Sequence, residues 1–143
     1  MRILGIDLGE KRIGISISDE LGITAQGLPN INSINEIEDL KNIKEIIDKY
    51  GVEKIILGLP KNMNGSLGKQ AKKSLSFAEK LKSSFQLPVD LEDERLSTSK
   101  AEKFLIETDR SRKKRKKVID KMAAMIILQT FLDRMMMNKE IKK

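Results

Sequence analysis

Residues 3–20 read ILGIDLGEKRIGISISDE, and this stretch decides the architecture. Residues 2–8 (RILGIDL) carry the composition of a strand. Residues 12–18 (RIGISIS) alternate apolar and polar side chains, which predicts a second strand joined to the first through a short GEK turn. Asp7 stands inside the first apolar run and is followed by a glycine and two cations. Two chemistries ask for a carboxylate there. One is a loop that holds the phosphates and magnesium of a nucleotide; the other is a site that holds metal ions against a nucleic-acid backbone.

Working outward, a third strand is predicted around residues 23–28, and NINSINE has turn composition. From Ile34 apolar residues recur as Ile37, Leu40, Ile43, Ile46 and Ile47, one face of a helix that runs to about Tyr50, where Gly51 stops it. KIILGLP reads as a short buried strand ending at Pro60, and NMNGSLGK as a loop. Leu67, Ala71, Leu75, Ala78 and Leu81 mark a second amphipathic helix, and residues 88–93 (PVDLED) a short strand. Ser97 or Thr98 can cap a helix over roughly 98–107. A final helix is predicted over 118–137; it is apolar nearly all round, so its methionines read as core filler. Three strands in hairpin-like succession, then alternating helix and strand, predict an α/β fold. Its mixed sheet is antiparallel at one side and parallel at the other, with helices on both faces.

The chain of 143 residues fits one domain, expected to span 1–143. It contains no histidine and no cysteine. That excludes Ser-His-Asp triads, thiol nucleophiles, imidazole bases and the usual zinc sites. Oxygen ligands remain, and they favour hard cations such as Mg²⁺ or Mn²⁺. No apolar run approaches the roughly 18 residues that span a bilayer, and Asp7 interrupts the only early apolar stretch, so neither membrane segment nor signal peptide is expected. A cytoplasmic location is the default for a chain without cysteine. The net charge of +7 is uneven: residues 1–108 carry 16 Lys/Arg against 17 Asp/Glu, and residues 109–143 carry 12 against 4. The centre of the excess is RSRKKRKK, Arg110 to Lys117, within a segment 109–117 read as a mobile basic loop. A basic segment on a neutral body points to a polyanion, most often nucleic acid; the alternative is a solvated loop that aids solubility.

Carboxylates can converge at three places. Asp7 ends the first strand, and open α/β sheets gather their sites at the carboxyl ends of strands. Glu92-Asp93-Glu94 closes the strand over 88–93; a period of two sends Asp93 and Glu94 to opposite faces, so one of them can face Asp7. Asp120 shares a helical face with Ala123, Ala124, Ile127, Leu128 and Phe131, a buried stripe on which a lone acid is costly unless paired, capped or metal-bound. Plain structural readings stand beside these: a turn residue for Asp7, a solvated strand end for the acidic cluster, a helix N-cap for Asp120. Taken together, the three acids fit a two-metal site.

GIDLGEKRIGISISD, GLPKNMNGSLGKQA, LEDERLSTSKAE and KVIDKMAAMIILQTFL resemble, in order and spacing, the four signature blocks of the YqgF/RuvX family over nearly the whole chain. The resemblance implies an RNase H-like fold with a five-stranded sheet and a nuclease activity. The family resembles Holliday-junction resolvases and is assigned to maturation of the 5′ end of pre-16S ribosomal RNA. Carried over by motif, the metal-binding and catalytic carboxylates are Asp7, Glu94 and Asp120, with Glu94 preferred to Asp93 as the middle residue of DER. Arg12, Asn62, Gly65 and Arg95 would handle phosphate, although Arg12 and Arg95 can equally neutralise acids and GLPKNMNG can be a plain turn. Arg112, Lys113, Lys114 and Arg115 would grip the nucleic-acid backbone. The expected partner is structured RNA, or branched DNA for a resolvase, with the protein a monomer or weak homodimer. A non-catalytic RNA-binding assembly factor is a further reading. IDLG also resembles the first phosphate loop of actin-like and sugar-kinase ATPases, which clasp nucleotide between two such lobes where this chain has one.

Overall fold

The computed structural model describes residues 1–62, 64–95 and 112–141, with side chains described to residue 95 apart from Met63 and again over 122–138. Strands β1 (Arg2–Leu8), β2 (Arg12–Ser18) and β3 (Ala25–Asn32) are followed by helix α1 (Glu36–Tyr50), β4 (Val52–Leu59), α2 (Lys69–Phe85), β5 (Val89–Asp93) and α3 (Arg112–Ile141). The sheet order is β3-β2-β1-β4-β5. β2 is antiparallel to both its neighbours, while β1, β4 and β5 run parallel. Order and directions are those of an RNase H-like sheet. The helix expected over 98–107, with its cap at Ser97 or Thr98, lies outside the described residues.

Alternation sorts the strands into two faces. Leu4, Ile6, Leu8, Ile13, Ile15, Ile17, Ile55 and Leu57 point to one side, where Ile43 and Ile47 of α1 and Phe77, Ala78 and Leu81 of α2 close a core. Ile3 and Ile56 point to the other, against Ile127, Leu128, Phe131 and Leu132 of α3. This second face is lined with small residues. The Ser16 hydroxyl donates to the Ala124 carbonyl at 2.7 Å, and a Cβ built on Gly14 would lie 3.3 Å from the Ala124 Cβ. Gly5 is the tightest point: an added Cβ would run into the Ser16 hydroxyl and lie 2.9 Å from Leu128 Cβ and 3.1 Å from the Ala124 carbonyl oxygen. Gly5→Ala should therefore lift α3 from the sheet and cost up to about 3 kcal/mol, read as a fall in the denaturation midpoint.

Several boundaries differ from the sequence expectation. β3 continues to Asn32, through residues that have turn composition. It is an edge strand, and its register with β2 shifts between Ile13 and Ile15, opposite Pro29 and Asn30; the edge and the bulge accommodate a proline without an N–H. α1 starts at Glu36, capped by the Asn35 side chain accepting from the Glu38 N–H, so Ile34 and Ile37 lie exposed. Gly51 ends α1 at φ 65°, as expected. Leu67 precedes α2 and is exposed. α3 begins at Arg112, so the basic run from Arg112 to Lys117 is helical and not a loop. No Gly or Pro interrupts it, and Arg and Lys are good helix formers. α3 buries one face only: Met135, Met136 and Met137 are exposed and are not core filler.

Candidate active site

The parallel strands β1, β4 and β5 end at one edge of the sheet, and Asp7 and Glu94 are carried there on the α3 side. β1 presents Asp7 on the same face as Gly5, and Asp7 pairs in register with Gly14 of β2. β5 presents Glu92 on the face of Gly58, its register partner, and Glu94, just past the strand, falls on that face too. β4 lies between β1 and β5, and its residue at this level is Gly58. A Cβ there would lie 3.0 Å from both Cγ and Cδ of Glu94 and 2.6 Å from Ile127 Cδ1. The missing side chain is the opening across which two acids from non-adjacent strands meet.

The carboxyls of Asp7 and Glu94 are hydrogen-bonded to each other, so a proton lies between them. Burial, then the charge of Asp7 and the hydrogen bond to it, with a smaller contribution from Asp93, push Glu94 up from 4.5 to about 9. The folded, metal-free protein thus holds a proton that the unfolded chain releases near the ordinary carboxyl value. Between those two values the folded state binds more protons, so this pair lowers stability as pH rises through the window. Denaturant titrations in EDTA from pH 5 to pH 9 should show that fall, and Glu94→Gln should flatten it.

Asp93 goes to the other face. Its carboxylate accepts the Arg95 backbone N–H at 3.0 Å and the Arg95 Nη2 at 2.7 Å, and Lys61 Nζ lies 4.0 Å away. These partners hold its pKa below the usual value, the Arg95 hydrogen bond first. Of the two residues that the strand period sends to opposite faces, Glu94 is the one that meets Asp7. Glu92 is buried and turned to α3, where Arg134 binds both its oxygens at 2.7 Å. Asp120 lies inside α3, eight residues after its first residue Arg112, so it is not an N-cap. It precedes by one turn Ala124, which is buried against β2. Its side chain, like those of Arg112, Lys113, Lys114 and Arg115, lies outside the described residues. Among the described side chains no group of three or more acids gathers.

Arg12 opens β2 and is exposed, at the sheet edge where β1 ends. Asn62 and Gly65 belong to a closed turn: the Gly65 N–H donates to the Asn62 carbonyl at 2.8 Å, the Asn62 N–H to the Ser66 carbonyl at 3.0 Å, and the Asn62 amide to the Ser66 hydroxyl at 2.9 Å. Gly65 sits at φ 88°, which side-chain-bearing residues rarely adopt. These bonds close the turn, and the helix that follows it is tied to the site: the Gln70 amide of α2 donates to the Leu8 carbonyl at 2.9 Å, beside Asp7. Two residues escaped sequence reasoning. Lys61 joins the Asp93 pair, and Gly58 opens the acid contact; a lone glycine inside the apolar strand KIILGLP is the signal that could have found it.

The donor set fits a hard divalent cation. Two carboxyls are held in contact at the expense of a retained proton, and every donor is oxygen. No helix among the described residues is long and apolar enough to cross a membrane.

Comparisons with known proteins bear on the fold and the family. The chain is 59% identical over 135 residues to a protein of Geobacillus kaustophilus (strain HTA426) described as a candidate pre-16S rRNA nuclease, with 93% of this chain and 98% of that one covered. A solved ROK family protein from Streptococcus pneumoniae TIGR4, in complex with sucrose, superposes with a TM-score of 0.51 at 22% identity, over 71% of this chain and 37% of that one; the likeness is one of fold alone. A Thermus thermophilus RuvC bound to a Holliday junction substrate gives a TM-score of 0.48 at 13% identity, covering 71% of this chain and 69% of that one. A family profile described as RuvX, Holliday junction resolvase, matches residues 1–134. The chain therefore belongs to the RuvX family of resolvase-like nucleases.

Proposed function

We propose that this protein is a divalent-cation-dependent nuclease that hydrolyses phosphodiester bonds in structured RNA, in the 5′-end maturation of pre-16S rRNA. One observation carries the chemistry: the side chains of Asp7 and Glu94 meet through a hydrogen bond at the carboxyl edge of the sheet, across Gly58. Asp7, Glu94 and Asp120 would hold Mg²⁺ or Mn²⁺, in a two-metal site. When bound, such ions supply charge to the scissile phosphate and lower the pKa of water at neutral pH. The chain's own residues do the rest. Glu94 would hold the cation in its ionised form, and Asp7 fixes where Glu94 points. Gly58 keeps the gap between them clear, and Arg12 with Arg95 offers guanidinium groups to flanking phosphates. Arg112, Lys113, Lys114 and Arg115, in the first turns of α3, would contribute affinity for the nucleic-acid backbone without sequence choice.

The pre-16S substrate rests on the relatives' description. The family's description favours branched DNA as the second reading. A resolvase needs two sites facing one junction, hence a stable dimer; for the RNA reading a monomer or weak homodimer in the cytoplasm suffices. The test is cleavage of an end-labelled pre-16S 5′ leader RNA and of a four-way DNA junction in parallel, with Mn²⁺ or with EDTA. Cutting of the RNA only with metal is expected. Symmetric cutting of the junction in preference to the RNA would move the assignment to a resolvase, and binding without cutting of either would make the protein an assembly factor.

A further inference from the structure

Glu94 is accounted for by Asp7, but its neighbour Asp93 is not used by the proposed chemistry. Its surroundings are specific. Arg95 donates Nε to both carboxylate oxygens at 3.1 Å and Nη2 to one at 2.7 Å, and its backbone N–H completes the set. Lys61, at the end of the strand that carries Gly58, brings a second cation to 4.0 Å. The side chains of Asp93, Arg95 and Lys61 are 23%, 32% and 31% exposed, so each reaches the surface of the protein. Arg95 Nη1 lies over Gly65, 3.6 Å from where a Cβ would stand, so the guanidinium plane is held between Asp93 and the Asn62–Ser66 turn.

Half-exposed pairs of this kind contribute little to stability. What the arrangement achieves is order. An arginine fixed through Nε and Nη2 loses less side-chain freedom when it meets an anion. One acid against two cations leaves the trio with a net positive charge, at the same sheet edge as Asp7.

We propose that Asp93 is a positioning residue that holds Arg95 and Lys61 as a two-cation clamp for a backbone phosphate next to the scissile one. The proposal rests on the nuclease reading above and adds a residue to it. It makes a prediction opposite to simple charge counting. Removing an acid that faces a polyanion should tighten binding if Asp93 is a bystander; it should weaken binding if Asp93 aligns the cations.

The test is fluorescence anisotropy of a labelled pre-16S 5′ leader RNA in EDTA, over a KCl series, with thermal melting of each variant alongside. Asp93→Ala and Arg95→Ala should each weaken binding about tenfold and reduce the slope of log affinity against log salt by about one phosphate contact. The double variant should bind no worse than Arg95→Ala alone. If Asp93→Ala fails to fold, Asp93→Asn replaces it, with the same sign expected. Unchanged or tighter binding by a folded Asp93 variant overturns the clamp. Unchanged RNA affinity with a raised Mn²⁺ requirement for cleavage also overturns it, making Asp93 a metal ligand instead. Failure of the wild type to bind either the RNA or a four-way junction is a separate outcome: it overturns the nuclease reading, and the clamp falls with it.

Discussion

Asp7→Asn is expected to abolish phosphodiester cleavage, leave the fold intact, and flatten the fall of stability with pH in the metal-free protein. Asparagine keeps the size of the side chain and an oxygen that can accept from Glu94, so the packing of β1 against β2 and β4 is undisturbed. What changes is charge. The charge of Asp7 and the hydrogen bond to it are, after burial, the main causes of the raised Glu94 pKa. Without that charge Glu94 ionises at lower pH, and the pair no longer offers two anionic donors to a cation. Loss of an outer-shell partner at a metal site costs roughly 10–100-fold, and loss of a direct ligand should exceed that. The readout is cleavage of the leader RNA in Mn²⁺, with melting curves at pH 6 and pH 8 for both proteins.

Gly58→Ala should separate activity from stability in the same way, by a different cause. The added methyl group meets the far ends of two flexible side chains, Ile127 Cδ1 at 2.6 Å and the Glu94 carboxyl carbon at 3.0 Å. Both can move, so the stability cost should stay within about 1–3 kcal/mol. Glu94 must shift to make room, which disturbs its contact with Asp7. A displacement of about 1 Å at a reacting centre can cost about a hundredfold in rate. Cleavage is therefore expected to fall about a hundredfold in a protein that still melts cooperatively. If Gly58→Ala cleaves at the wild-type rate, the gap at Gly58 is not what lets the two acids meet.

Much of this was legible in the sequence, and the reasons differ by element. The alternation in RIGISIS and the apolar run before Asp7 fixed the antiparallel start of the sheet, because a one-sided strand must repeat every two residues. Asp7 was legible as an acid where an apolar residue belongs. The choice of Glu94 over Asp93 came from the DER motif; period two says only that the two diverge, and which face meets Asp7 depends on the register of β5 against β4, a tertiary fact. Gly58 was readable as a lone strand glycine, but its purpose requires knowing that β4 lies between β1 and β5. The basic run misled because its charge suggested a loop, whereas a helix gains support from packing downstream, here at Ala124, Ile127 and Leu128. The methionines misled for the converse reason: composition counts apolar residues and does not say which face of α3 the sheet covers.

In the function proposed above, Asp7 and Glu94 form a cation site by exchanging a shared proton for metal. Calorimetric titration of the wild-type protein with Mn²⁺, in buffers of different ionisation enthalpy, measures that exchange directly. At pH 7 release of about one proton per protein is expected on binding, declining toward none as the pH passes about 9, where Glu94 is already ionised. Mn²⁺ binding with no proton release at pH 7, or no binding at all, would contradict it.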